Sequence, residues 1–99
     1  GWGGPWRNTA LQAGDCSDPY LMTGYDAKGL HLHCQADEPV RIDVEVDFLG
    51  NRQWVPYHSF ELTPGQTYRH HEFPAGFSAH WVRLRVNQPC TATAQFFYN

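Results

Sequence analysis

Histidine and carboxylate side chains are the first residues of this chain whose types and spacing suit chemistry. His31-x-His33 is followed by Glu38, and His80 comes after Pro74-Ala75-Gly76. Imidazole and carboxylate groups bind zinc, iron, copper and manganese. In strands, however, alternation would turn His31 and His33 to one face and His80 towards the core. We therefore expect surface histidines at 31 and 33, a hydrogen-bonded histidine at 80, no metal site and no other cofactor.

The same histidines are partly similar to the two metal-binding motifs of cupin barrels. Those motifs have glycines where this chain has Tyr25 and Glu45, and His80 lies one residue too far from its glycine. A small cupin-like metal-binding protein is therefore the weaker alternative.

Catalysis by nucleophilic attack has no support in the sequence. The chain has no nucleophile elbow, no phosphate-binding glycine loop and no Cys-His-Asn arrangement. The neighbouring His70 and His71 must point to opposite faces of a strand, which makes them poor partners for each other. Acidic pairs such as Asp43 and Glu45 suit a solvated face better than glycoside hydrolysis. We expect no enzyme and no catalytic residue.

A second set of residues combines aromatic rings with arginine. Trp81, Arg83 and Arg85 alternate with apolar residues, so they should lie together on the outward face of a strand. Sugar rings stack on indole faces, and their hydroxyl, carboxylate or sulfate groups bind arginine. This pattern predicts a glycan site, neutral or anionic. Further aromatic platforms are available at Trp54, Tyr57, Tyr20 and Tyr25.

The alternative for the same face is purely structural. Arg83 and Arg85 can pair across strands with carboxylates at positions 43, 45 or 47, while Trp81 covers their aliphatic stems. The residues themselves favour neither interpretation.

The elements that must position these groups are strands. Residues 40–48 alternate five apolar with four charged side chains, and residues 54–62 resume the pattern after Gly50-Asn51, which predicts a hairpin with Pro56 at an edge or bulge. A turn at residues 63–66 then predicts a second hairpin with a strand over residues 68–73. Apolar and polar side chains also alternate in residues 29–34, 79–86 and 91–98, which predicts three further strands. The predicted core comprises Val40, Ile42, Val44, Val46, Phe48, Val82, Leu84 and Val86.

Residues 1–28 hold five of the nine glycines, so we expect mostly loop there with one strand near 20–23. The predicted fold is all-β: a single antiparallel β-sandwich over 1–99, immunoglobulin-like or jelly-roll-like, with six to eight strands.

Composition bounds the partners. The chain has 99 residues, 15% aromatic content and a formal charge of -3, so a basic surface for nucleic acid is not expected. No apolar run approaches the roughly 18–20 residues that cross a bilayer, so no membrane partner is expected. Three cysteines leave at least one thiol unpaired within a monomer.

Three strings together resemble a C-terminal β-sandwich module of secreted bacterial proteins that process polysaccharides. The likeness covers about residues 4–98 and is carried by residues 17–26 (SDPYLMTGYD), 45–48 (EVDF) and 73–83 (FPAGFSAHWVR). It implies a non-catalytic carbohydrate-binding-like domain, secreted or periplasmic, joined in a longer chain to a catalytic domain and binding a polysaccharide or oligosaccharide. A domain that only braces its catalytic neighbour would carry the same strings.

The resemblance also favours particular residues. The distinctive strings point to Tyr25, Asp26, His80, Trp81 and Arg83 as ligand contacts. The family pattern has no cysteine at positions 16 and 34, which implies a Cys16–Cys34 disulfide peculiar to this chain, with Cys90 a buried thiol.

Overall fold

The computed structural model describes residues 2–21, 28–65, 67–73 and 81–98. Across these residues the chain forms strands and no helix, and so no helix that could span a membrane. The eight strands are β1 (Trp2–Leu11), β2 (Tyr20–Leu21), β3 (Lys28–Gln35), β4 (Val40–Asp47), β5 (Val55–Leu62), β6 (Tyr68–Glu72), β7 (Trp81–Val86) and β8 (Cys90–Tyr98).

The strands form two antiparallel sheets of four. The first sheet has the order β1-β8-β3-β6, and the second sheet has the order β2-β7-β4-β5. Their apolar inner faces form one core between them. The predicted antiparallel β-sandwich is confirmed, at the upper end of the expected strand number.

Strict alternation fixes the register of β4 at the centre of the second sheet. Its four inward side chains, Val40, Ile42, Val44 and Val46, are fully buried, as are the inward residues of β7, namely Val82, Leu84 and Val86. Burying each such side chain contributes about 1.5–3 kcal/mol. A slip of one residue would instead bury the intervening charges.

Phe48 is the one predicted core residue that the structure contradicts. Its side chain is 52% exposed. Alternation would turn Phe48 inward only if the strand continued, but β4 ends at Asp47 and the chain bends away. Phe48 therefore lies in the loop between β4 and β5.

The prediction of loop for most of residues 1–28 is wrong for β1, which is ten residues long. Its pairing with β8 shifts register between Gly3 and Trp6 and again between Trp6 and Thr9. Such bulges disrupt period-two alternation, and from Gly4 to Leu11, where side-chain burial is described, the strand contributes Trp6 and Leu11 to the core. The strand predicted near 20–23 is present as Tyr20–Leu21, and residues 22 and 23 lie outside the described part.

The hairpin of β4 and β5 is confirmed, whereas the second predicted hairpin is wrong. β5 is an edge strand, and Pro56 lies opposite Glu45 next to a bulge, as Pro in a strand requires. β6 pairs with β3 rather than with β5. The connection after β5 crosses from one sheet to the other, and β6 pairs with the side of β3 that β8 leaves open.

The predicted Cys16–Cys34 disulfide is also wrong: all three cysteines are free thiols. Cys16 is exposed, and its backbone forms an isolated β-bridge with Arg85 in the second sheet. Cys34 points into the core from the first sheet. The near neighbour of Cys34 is instead Cys90, whose side chain is also buried. Burial, with a smaller effect of Cys90, raises the pKa of the Cys34 thiol to about 12.

Thiol labelling of the unreduced protein tests this arrangement. We expect Ellman's reagent to modify one thiol in the native protein, because Cys16 is exposed and the other two are buried, and all three after unfolding. Cys16→Ser should remove the native reaction. Only one reactive thiol after unfolding would show that two cysteines are bonded and would contradict the structure.

Candidate functional site

The outward face of the second sheet carries the predicted aromatic and arginine set. Trp81 lies opposite Asp47, and Arg83 lies opposite Glu45 in the neighbouring strand β4. Because the residues between them are fully buried, Trp81, Arg83 and Arg85 point away from the core, as alternation predicts.

Arg83 is held between a carboxylate and an indole. Its Nε donates to Glu45 Oε1 at 2.8 Å, and its guanidinium carbon lies 4.4 Å from the centre of the Trp54 ring. A cation over an indole contributes about 0.5–1 kcal/mol at exposed sites. Arg83 thus fixes Trp54 against the sheet, and the cross-strand pairing weighed as the alternative is present at Glu45.

Arg85 belongs to the same charge cluster but points elsewhere. A terminal nitrogen of Arg85 lies 3.8 Å from Glu45 Oε1, and its Nε donates to Cys16 Sγ at 3.2 Å. Arg85 is not among the residues that line a groove with Trp81, and its role as a ligand contact stays a prediction.

Asp47 orders the loop that follows β4. Its buried carboxylate accepts backbone N–H bonds from Leu49 (3.1 Å), Gly50 (2.9 Å) and Arg52 (2.8 Å), with a longer contact to Asn51 at 3.4 Å. Gly50 and Arg52 have φ of 72° and 64°, the left-handed region that L side chains rarely adopt. The carboxylate therefore holds a conformation that the sequence alone disfavours at Arg52.

The pKa of Asp47 reflects this bonding. Burial by itself raises the pKa of the carboxyl, but the backbone N–H groups of residues 49–52 together outweigh it and hold the pKa below the usual value. The ionised carboxylate is therefore the form that the loop requires.

A groove of about 430 Å³ opens between this loop and β7. We call it the tryptophan groove, because two partly exposed indoles line it together with other residues: Pro19, Asp47, Gly50, Arg52, Trp54 and Trp81. Arg52 is exposed at its edge, and in the described residues no carboxylate forms an ion pair with its guanidinium. The groove thus offers flat apolar surfaces beside one available cation.

Three exposed apolar side chains lie beside this groove in the loop or in the sheet, and we call them the apolar rim. Leu21 is opposite Trp81 in the β2–β7 pairing, and Phe48 and Leu49 belong to the loop. Leu49 is the most exposed, at 79%. Exposed apolar groups concentrated in one region mark an interaction surface.

Sequence reasoning missed Asp47, Arg52 and the apolar rim. Alternation predicts Asp47 among the solvent-facing charges of its strand, whereas its side chain is almost fully buried. One signal was available: an aspartate at a strand end, followed at the third residue by Gly50, is typical of a side chain that bonds the backbone of a turn.

The structure does not bring Tyr57 to the tryptophan groove. Its hydroxyl hydrogen-bonds His71 Nε2 at 2.9 Å, and its ring stacks on Phe73 at the edge where the two sheets meet. Burial, followed by the nearby His58 and His70, lowers the pKa of His71. The remaining predicted contacts, Tyr25, Asp26 and His80, lie outside the described residues.

The cupin-like metal set is not assembled in the described part of the chain. His31 and His33 lie on the outward face of the first sheet, and Glu38 is exposed in the turn after β3. No three His, Cys, Asp or Glu side chains within the described ranges are grouped so as to hold a metal ion.

Comparison with models of known protein families and with curated proteins finds no match to this chain.

Replacing Asp47 by asparagine tests its role in the loop. The substitution turns an acceptor-only group into one that also presents N–H donors to the loop amides. We expect the midpoint of thermal unfolding to fall clearly more than for Asp43→Asn. Asp43 is the matched control, since it lies in the same strand and its carboxylate bonds the side chains of Arg41 and Ser59 rather than loop backbone. Equal, small effects would contradict the role assigned to Asp47.

The acid dependence of stability gives a separate test. Because the pKa of Asp47 is lower in the folded than in the unfolded protein, its stabilisation is complete above the ordinary value of 3.8 and is lost as pH falls through the folded-state pKa. We expect the unfolding free energy of the wild type to fall more than that of Asp47→Asn between about pH 5 and about pH 2.5. Parallel losses measured by urea unfolding would contradict this.

Proposed function

We propose that this protein is a non-catalytic carbohydrate-binding module whose site is the tryptophan groove. The observation that carries the proposal is the presence of two partly exposed indoles, Trp54 and Trp81, along one groove with a preordered wall. Indole faces stack on the C–H faces of sugar rings, and ordered side chains limit the entropy lost on binding.

The charges of the groove favour a neutral or sparsely anionic glycan. Arg83, expected to attract anionic groups, is already paired with Glu45. The carboxylate of Asp47 is engaged by backbone N–H groups. Arg52 is left as the cation that can bind a hydroxyl, carboxylate or sulfate of the sugar.

The likeness to appended modules supports a tethered, secreted or periplasmic role. One groove with two stacking rings should bind in the micromolar to millimolar range, since each ring contributes only about 1–3 kcal/mol before immobilisation costs. A covalent link to a catalytic domain compensates for weak affinity by raising the local concentration. The function proposed is therefore attachment of a glycan-processing enzyme to its polysaccharide.

The apolar rim favours a second candidate function, a bracing domain that packs on its catalytic neighbour. The side chains of Leu49 and Phe48 are exposed in this domain, and a contact with a neighbouring domain would bury them. In that case Trp81 would touch protein rather than sugar. The cupin-like alternative has no comparable support, because its histidines are not gathered with a third His, Cys, Asp or Glu in the described part of the chain.

A glycan array followed by calorimetry tests the carbohydrate proposal. We expect Trp54→Ala and Trp81→Ala each to weaken binding of the selected glycan about tenfold or more, because each removes a stacking surface. His58→Ala is the matched control, since it removes an exposed ring on β5, the strand that begins after Trp54, and does not line the groove.

Two results would overturn the proposal. The first is that no polysaccharide or oligosaccharide binds, which would leave the bracing role as the better explanation. The second is that a glycan binds and both tryptophan variants bind it as tightly as the wild type does, which would place the site elsewhere.

A further inference from the structure

Three polar groups converge on the outward face of the first sheet, on the other side of the sandwich from the tryptophan groove. His31 in β3 lies directly opposite His70 in β6, and their Nδ1 atoms are 3.1 Å apart. The hydroxyl of Tyr68 contacts the same Nδ1 of His31. Two imidazoles and one phenol therefore point at one spot.

Hydrogen bonds alone cannot satisfy all three polar groups of this cluster well. An imidazole nitrogen has a single in-plane direction, which carries either a proton or a lone pair. His31 Nδ1 is approached by both His70 Nδ1 and the Tyr68 hydroxyl, so it cannot bond both well. A cation placed between them would use the lone pairs of all three groups at once.

The spacing of the two nitrogens suits a transition metal. Two nitrogens bound to one ion at about 2.0–2.1 Å lie roughly 2.9 Å apart as neighbours in a square-planar site and roughly 3.3 Å apart in a tetrahedral one. The two Nδ1 atoms are 3.1 Å apart, between these values. The phenol oxygen supplies the third donor in place of a carboxylate or third imidazole. Water would complete the coordination, because Tyr68 is exposed and a shallow depression opens beside His31.

The surroundings hold the two rings in place. Phe97 stacks on His70 at 5.6 Å between ring centres and lies 5.0 Å from the ring of His31. Glu72 Oε1 lies 3.6 Å from the other ring nitrogen of His70. A carboxylate facing the distal N–H of a histidine is the usual support for a metal-binding imidazole.

We propose that His31, His70 and Tyr68 form a surface site for a divalent transition-metal ion, with Cu²⁺ preferred over Ni²⁺ and Zn²⁺. Imidazole and phenolate donors suit Cu²⁺, and copper binds nitrogen and oxygen sites most tightly of the divalent series. Both imidazoles bind in the neutral form, and Tyr68 releases its hydroxyl proton to water as it coordinates.

Titration of the metal-stripped protein with copper sulfate tests the site, with nickel and zinc salts in parallel. We expect one tightly held Cu²⁺ per chain, electron paramagnetic resonance splitting from two nitrogens, and a visible absorption band from phenolate to copper. His31→Gln and His70→Gln should each weaken binding about tenfold or more. Tyr68→Phe should abolish the visible band while leaving the two-nitrogen signal.

Two controls separate this site from other histidines and from the proposed glycan function. His58→Gln removes an exposed imidazole outside the cluster and should bind copper like the wild type. Trp81→Ala should lose glycan binding and keep copper binding. If His31→Gln fails to fold, His70→Gln and the nitrogen count of the wild-type spectrum still test the proposal.

The proposal is overturned by absence of stoichiometric copper binding. It is also overturned if both histidine variants bind copper like the wild type, or if the wild-type spectrum shows one nitrogen and no phenolate band. Loss of copper binding in His58→Gln alone would likewise place the ion elsewhere.

Discussion

The candidate glycan site depends on the bonds between the Asp47 carboxylate and the backbone of the next loop. A buried carboxylate without partners would destabilise the sandwich, and a loop with two residues in the left-handed region would not hold its shape unaided. The two groups stabilise each other. The loop amides satisfy the charge, and the charge fixes the loop that leads to Trp54.

Strand β4 also positions the other residues of the outward face. Its inward valines and Ile42 set the register against β5 and β7, and the same register places Glu45 beside Arg83 and Asp47 beside Trp81. Because side chains alternate, one hydrophobic pattern decides both the core and the outward pairs. The histidine cluster of the first sheet is built in the same way, from the facing of β3 and β6. The sandwich therefore presents two chemically different outer surfaces.

Local alternation was enough to predict part of this architecture. The class of fold, the buried face of β4 and the outward position of Trp81 and Arg83 follow from residues two apart. Alternation failed where the backbone departs from a regular strand: at Phe48 beyond the strand end, and in β1, whose bulges break the period. The partner of β6 and the neighbour of Cys34 depend on which strands meet in space, and no local pattern carries that information. Sequence likewise could suggest Trp54 and Trp81 separately, but only the ordered loop brings them to one groove.

The central claim is tested most directly by NMR, in a titration of the protein with an oligosaccharide that it binds. The four tryptophans give four separate indole N–H signals that can be followed as the sugar is added. If the preordered groove binds sugar, the signals of Trp54 and Trp81 shift, the signal of the buried Trp6 stays, and the amides of residues 49–52 are protected from exchange before the sugar is added. Shifts confined to Trp6 or to the histidine face, or loop amides that exchange freely in the unliganded protein, would contradict it.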